Sequence, residues 1–148
     1  MNEKDKINSI SYDAHDIRNK HNTSNIYSNT NNVHSKSIDN TYNTNNLFAK
    51  IIRKEIPSEV VYEDEHTLSF KDINPQAKIH ILIIPKQRYC NVSDLLNGNK
   101  EFLGNFMLGV SKTIQKANPE NKDFKLLTNN GTNAGQEIFH MHFHLLIN

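Results

Sequence analysis

His140-Met141-His142-Phe143-His144-Leu145-Leu146-Ile147 is the stretch on which the reading of this chain turns. Histidine alternates strictly with apolar residues. That period of two marks a β-strand with His140, His142 and His144 on one face and Met141, Phe143 and Leu145 on the other. Same-face residues lie about 6.6 Å apart at about 3.3 Å rise per residue, so His140 to His144 spans roughly 13 Å. A single zinc ion with bonds of about 2.0–2.1 Å to nitrogen can take neighbouring histidines of such a row, but hardly all three from a flat strand. Metal binding therefore does not account for the whole row. Phosphorus chemistry does, because imidazole titrates near neutrality and is itself a nucleophile: one ring can attack while its neighbours orient it, hold charge or carry protons. One histidine on a strand is ordinarily structural. Three at alternating positions behind a Gly/Asn loop are read here as a site.

Length and composition bound the rest. At 148 residues the chain accommodates one domain with a tail. Its formal net charge is +1 with Lys and Arg dispersed, which points away from a nucleic-acid groove or an acidic membrane surface. Cys90 is the only cysteine, so no intramolecular disulfide and no multi-cysteine metal site exists, in keeping with a reducing compartment. No apolar run approaches the roughly 20 residues that cross a bilayer, and the N-terminus lacks the apolar core of a secretory signal. The expectation is a soluble intracellular protein, cytoplasmic in the simplest case, with the nucleus as a further location.

Residues 1–46 differ in kind from the remainder of the chain. Twelve are asparagine, none is glycine, proline, phenylalanine or leucine, and five acidic residues balance five basic ones. Such a segment buries too little apolar surface to offset the entropy of ordering it, so 1–46 is expected to be a disordered extension and 47–148 the folded domain. From Leu47 to Lys54 apolar residues recur at helical spacing, with Pro57 as the stop. Val60–Glu63 and Thr67–Phe70 read as strands of a hairpin around Asp64-Glu65-His66, and His80–Ile84 is a β-branched strand stopped by Pro85. An amphipathic pattern runs from Ser93 to Ala117, interrupted at Asn97-Gly98-Asn99, which leaves a main helix over about 100–117. Phe124–Thr128 is a further strand, and a loop over 129–135 leads into the histidine row. The sum is an α+β domain on a mainly antiparallel sheet of about five strands with two helices.

Together these residues resemble the histidine triad (HIT) superfamily, and within it the Hint branch of nucleotide-binding proteins. The resemblance covers 47–148 and is carried by Lys50-Ile51-Ile52-Arg53-Lys54-Glu55-Ile56-Pro57, by Phe70-Lys71-Asp72-Ile73-Asn74-Pro75-Gln76-Ala77 and by His80-Ile81-Leu82-Ile83-Ile84-Pro85-Lys86. Asn129-Asn130-Gly131 and Gly135-Gln136, leading into the triad, complete it. It implies a HIT-like fold that pairs into a homodimer through the long helix and a sheet edge. It also implies a metal- and cofactor-independent hydrolase or nucleotidyl transferase acting on purine nucleotides. His142 then matches the nucleophile that attacks the α-phosphorus of an AMP or GMP derivative, such as a phosphoramidate, forming a covalent nucleotidyl-histidine that water resolves. His140 matches the residue whose main chain orients the nucleophile, His144 the one near the phosphate, and His80 a fourth histidine of the pocket. Asp72 matches the acid on the ribose hydroxyls, Ile73 the apolar residue against the base, and Asn129 the amide near the phosphate. Gly135, Gln136 and Glu137 line the same nucleotide, and main-chain N–H groups of the loop and strand are expected on phosphate oxygens.

On the residues alone, Asp72 is equally turn chemistry, Ile73 core, Asn129-Asn130-Gly131 a turn and His80 a structural histidine. The chain also departs from the family pattern. The positions of a Cys-x-x-Cys zinc pair in many relatives are Asn46 and Ala49, so that site is absent. Arg88 stands where relatives often carry histidine, and Glu137 where Hint enzymes carry serine or threonine near the leaving group. Relatives continue past the triad strand into a short tail, whereas Asn148 follows His144 by four residues, and the last strand is expected to fray. Two alternatives stand beside the phosphoramidase reading: cleavage of dinucleoside polyphosphates, to which Glu137 lends itself, and a purine-nucleotide-binding scaffold with little turnover.

Overall fold

The computed structural model describes residues 42–148. The extension over 1–41 lies outside the described residues. Five strands, β1 (Val60–Glu63), β2 (Thr67–Lys71), β3 (Ile79–Pro85), β4 (Phe124–Leu127) and β5 (Phe143–Ile147), form one sheet in the order β1-β2-β3-β5-β4, antiparallel at every pairing. Among the described residues three α-helices accompany it: α1 (Leu47–Ile52), α2 (Val92–Leu96) and α3 (Lys100–Ala117).

Asparagine starts each of these helices. The side chains of Asn46, Asn91 and Asn99 each accept the main-chain N–H three residues on, at 2.9 Å, taking one of the donors a helix start leaves unpaired. The interruption at 97–99 is therefore a full break, with Asn97 closing α2 and Asn99 opening α3. α1 stops at Ile52, before Pro57 can act, because Lys54 turns into the left-handed region at φ 61° and its N–H and that of Glu55 return to Ile51 and Lys50. The β1–β2 turn is closed by Asp64 Oδ1, which accepts from the N–H groups of His66 and Thr67 at 2.8 Å.

The sheet separates two apolar layers. On one face α3 lays Phe102, Phe106 and Val110 against Ile81, Ile83, Met141, Leu145 and Ile147. On the other, α1 packs Phe48 and Ile51 against Leu68, Phe70, Leu82 and Ile84. Strand alternation thus sends odd-numbered residues of β3 and β5 to α3 and even-numbered ones to α1. α3 crosses β2 closely at Gly109, where a Cβ would stand 2.0 Å from Thr67 Oγ1.

Two sequence expectations change here. The triad strand is shorter than its alternation suggests: ladder pairing begins only at Phe143, because Met141 N–H donates to the Tyr89 carbonyl at 2.7 Å instead of to a neighbouring strand. Alternation still persists through 140–142, so Met141 is buried in the α3 layer while His140 and His142 face α1. The expected fraying is not seen, since β5 lies between β3 and β4 and pairs with both as far as Ile147.

Candidate active site

Register brings the histidines together. Leu82 is paired with His144 and His80 with Leu146, so His80 and His144 are diagonal neighbours on the α1 face. Continuing the β4–β5 register by two residues sets Asn129 opposite His142. His140 and His142 are buried, and His144 is half-buried at the edge of the group.

The partners of each ring fix where its protons sit. His142 Nδ1 lies 2.7 Å from the main-chain oxygen of His140; a carbonyl only accepts, so Nδ1 carries the proton and Nε2 keeps its lone pair. The Thr128 hydroxyl donates to the His142 carbonyl at 2.7 Å, and the Phe48 ring meets the imidazole edge-on at 5.1 Å. Burial pushes the His142 pKa down, opposed by the hydrogen bond to the His140 carbonyl and by the charge of Asp72. The ring is therefore neutral at pH 7, with Nε2 available as a nucleophile.

His80 Nδ1 accepts the Gln76 N–H at 3.2 Å, which puts its proton on Nε2. That Nε2–H faces His144 Nδ1 at 2.9 Å, so His144 accepts there and carries its own proton on Nε2. Burial, then the neighbouring His142 and His80, push the His144 pKa down to about 4, against the pull of Asp72. His140 Nε2 donates to the Pro85 carbonyl at 2.8 Å, and its Nδ1 accepts from the Tyr42 hydroxyl. Burial holds its pKa at about 4.

Asp72 belongs to this group. Its Oδ1 accepts the Asn74 N–H at 2.8 Å and its Oδ2 lies 3.5 Å from His80 Nε2, leaving the carboxylate partly open to solvent. Asp72 Oδ2, His80 Nε2 and His144 Nδ1 lie within 4.8 Å of one another, the one group among the described residues with a metal-ligating make-up. The two nitrogens share a proton, which a metal ion would have to displace. Ile73 is 89% exposed, so it is not core.

The loop before the triad is built differently from the expectation. Gly131 and Gly135 take φ of 92° and 86°, which side chains resist. Gly135 also adjoins the Asn129 amide, whose Nδ2 is 3.7 Å from where a Cβ would stand. The buried side chain of Gln136 is spent inside the loop: Oε1 accepts the Gly131 N–H at 2.8 Å, and Nε2 donates to the carbonyls of Cys90 at 2.7 Å and Ile138 at 3.1 Å. The N–H groups of Ala134, Gly135 and Gln136 return to Gly131 and Thr132 carbonyls. These amides and the Gln136 side chain are spent on the loop's own hydrogen bonds and shape the loop. Glu137 is exposed.

Sequence reasoning missed Thr128, Phe48, the Gln76 amide and Tyr42. Thr128 follows the last residue of β4, one position before the Asn129 that the register sets opposite His142, and its hydroxyl reaches the His142 carbonyl from there. Tyr42 carries no such signal inside the asparagine-rich segment, yet residues 42–46 pack on the domain: Thr44 O accepts from Arg53 Nη1 at 2.8 Å, and Tyr42 reaches His140.

A family model described as "HIT domain" matches residues 53–148. A HIT-like protein of Rickettsia prowazekii is 40% identical over 106 residues, 71% of this chain and 88% of its own length. Protein HitA of Neisseria gonorrhoeae is 43% identical over 102 residues, 69% of this chain and 94% of its own. Among solved structures, a HIT family hydrolase from Clostridium thermocellum superposes with a TM-score of 0.62 at 40% identity, covering 70% of this chain and 90% of that one.

Proposed function

We propose, from the premise that the chain belongs to the HIT domain family, that it is a Hint-type hydrolase acting at the α-phosphate of purine nucleotides through a covalent nucleotidyl-His142. The observation that carries this is the tautomer of His142. A neutral imidazole whose Nδ1–H is committed to the His140 carbonyl presents only Nε2 to an electrophile.

Attack of Nε2 on phosphorus forms the N–P bond as the P–N or P–O bond to the leaving group breaks. The nucleotidylated ring keeps its Nδ1–H and is cationic, a charge favoured by the His140 carbonyl and by Asp72, the two influences that raise the His142 pKa. Water then displaces the histidine, releasing AMP or GMP and restoring the neutral ring. His144, with Nδ1 held by His80, has Nε2–H to offer a phosphate oxygen. The exposed Ile73 suits an apolar contact with the base, and the open side of Asp72 suits ribose hydroxyls. Binding of the phosphates falls to Asn129 and His144, because the loop amides at 131 and 134–136 are already used. The compartment consistent with this reading is the cytoplasm, and the assembly a homodimer through α3.

The test is AMP release from adenosine 5'-phosphoramidate in excess chelator. His142→Ala is expected to lose at least about 10³-fold in kcat/KM, roughly 4 kcal/mol of transition-state stabilisation. A quenched wild-type turnover should carry a nucleotidyl adduct at His142 in intact-mass and peptide spectra. Undiminished activity in His142→Ala would sink the mechanism. Diadenosine polyphosphate run in parallel measures the rival specificity that the exposed Glu137 permits, and tight AMP binding without turnover of either substrate would favour a binding module.

A further inference from the structure

We propose that Tyr42 is a positioning residue for the triad: its hydroxyl locks the imidazole of His140, the residue whose carbonyl orients the nucleophile. This rests on the reading of His142 as nucleophile.

His140 is fully buried and its ring is held at both nitrogens. Nε2–H is committed to the Pro85 carbonyl at 2.8 Å, so Nδ1 can only accept, and the donor supplied to it is the Tyr42 hydroxyl. The tyrosine ring stands edge-on to the imidazole with centroids 5.5 Å apart, and the Phe48 ring flanks it at 6.2 Å and 86°. Burial raises the pKa of Tyr42, so the group is a phenol that can donate. The Arg88 guanidinium lies 6.0 Å from the centre of the tyrosine ring.

The chain leading from Tyr42 is pinned as well. Asn46 N–H and Nδ2 both donate to the Asn43 carbonyl, at 3.1 and 2.7 Å, and Asn45 N–H donates to Asn43 Oδ1 at 2.9 Å. With the Arg53–Thr44 bond these fix the approach to α1, and hence where the tyrosine can stand. Without the hydroxyl, His140 Nδ1 becomes a buried acceptor with no donor. The ring gains reason to turn, and the carbonyl on the same residue loses its fixed aim at His142 Nδ1. Tyr42 does this without reaching the nucleotide, so its effect belongs in kcat and not in KM.

Tyr42→Phe keeps the ring and deletes only the hydroxyl. Three measurements are made on the full chain: kcat and KM on adenosine 5'-phosphoramidate, the ring ¹⁵N resonances of His140 and the Nδ1–H resonance of His142 without substrate, and the thermal midpoint to confirm folding. We expect kcat to fall about five- to tenfold, the worth of one hydrogen bond, with KM within twofold. The His140 Nδ1 resonance should move towards that of a free lone pair, and the His142 Nδ1 proton should exchange faster. An unchanged kcat overturns the proposal whatever the ring signals do, as does a loss confined to KM. If the wild type turns over no phosphoramidate, the proposed activity fails on its own account and the ring signals alone decide. An unmoved His142 Nδ1–H in Tyr42→Phe then overturns the positioning role too.

Discussion

A histidine kept neutral by its surroundings stores a dependence on acid. Burial, against the hydrogen bond to Pro85 and aided by His142, holds His140 at about 4 in the folded chain, whereas an unfolded histidine titrates near 6.5. Between these values the unfolded chain binds a proton that the folded chain does not. Stability from this group is therefore complete above pH 6.5 and is lost as pH falls through the window, by up to about 3 kcal/mol. His144, also lowered to about 4 but half-exposed, acts in the same direction. The thermal midpoint should thus be flat above pH 6.5 and fall steadily towards pH 4; a midpoint that holds level to pH 4 would contradict the buried, neutral His140. At this scale the shared face of the histidines was legible in their spacing, but the placement of their protons was not. Which nitrogen carries a proton depends on the Gln76 amide and the Pro85 carbonyl, and main-chain groups leave no mark in a sequence. Gln136 was read as a nucleotide contact through the resemblance, and its buried side chain bonds within the loop and to the Cys90 carbonyl.

Among the elements, α3 and β2 depend on a single missing methyl group. Alanine for glycine inside a helix is ordinarily worth about 1 kcal/mol in favour of the helix. At Gly109 the added Cβ would meet Thr67 Oγ1 at 2.0 Å and Thr67 Cβ at 2.6 Å, on a residue that is fully buried. Gly109→Ala is expected to cost about 1–3 kcal/mol through overpacking, read as a lower urea midpoint, and a raised midpoint would refute the close crossing. The strands were readable because β-branched runs and alternation are strong local signals, and β1, the start of β2 and α3 fall where the pattern sets them. The end of α1 was not, since Lys54 takes a left-handed conformation that no residue preference announces. Nor was the late start of β5, which depends on the Tyr89 carbonyl, fifty-two residues before Met141.

In the molecule as a whole, one face of α3 stands uncovered among the described residues. Leu108 is 62% and Met107 41% exposed, and Gly104 has nothing within 4 Å of where a Cβ would stand, which leaves room for a second helix to approach. The proposed homodimer would cover this face. Sedimentation at micromolar concentration is expected to give twice the chain mass for the wild type and the single-chain mass for Leu108→Glu, and a wild-type monomer would rule the dimer out. A further property arises from the alternation through 140–147. Core and chemistry are two interleaved messages on one strand, separated only by phase. A single residue inserted or deleted between His140 and Ile147 would exchange them, turning imidazoles towards α3 and Met141, Phe143 or Leu145 towards the α1 face. The Asn129–Gln136 loop has no such phase to keep beyond its own clamp. Length variation in descendants of this sequence should therefore collect in loops and spare the strand, where a lost residue would be a frameshift in space.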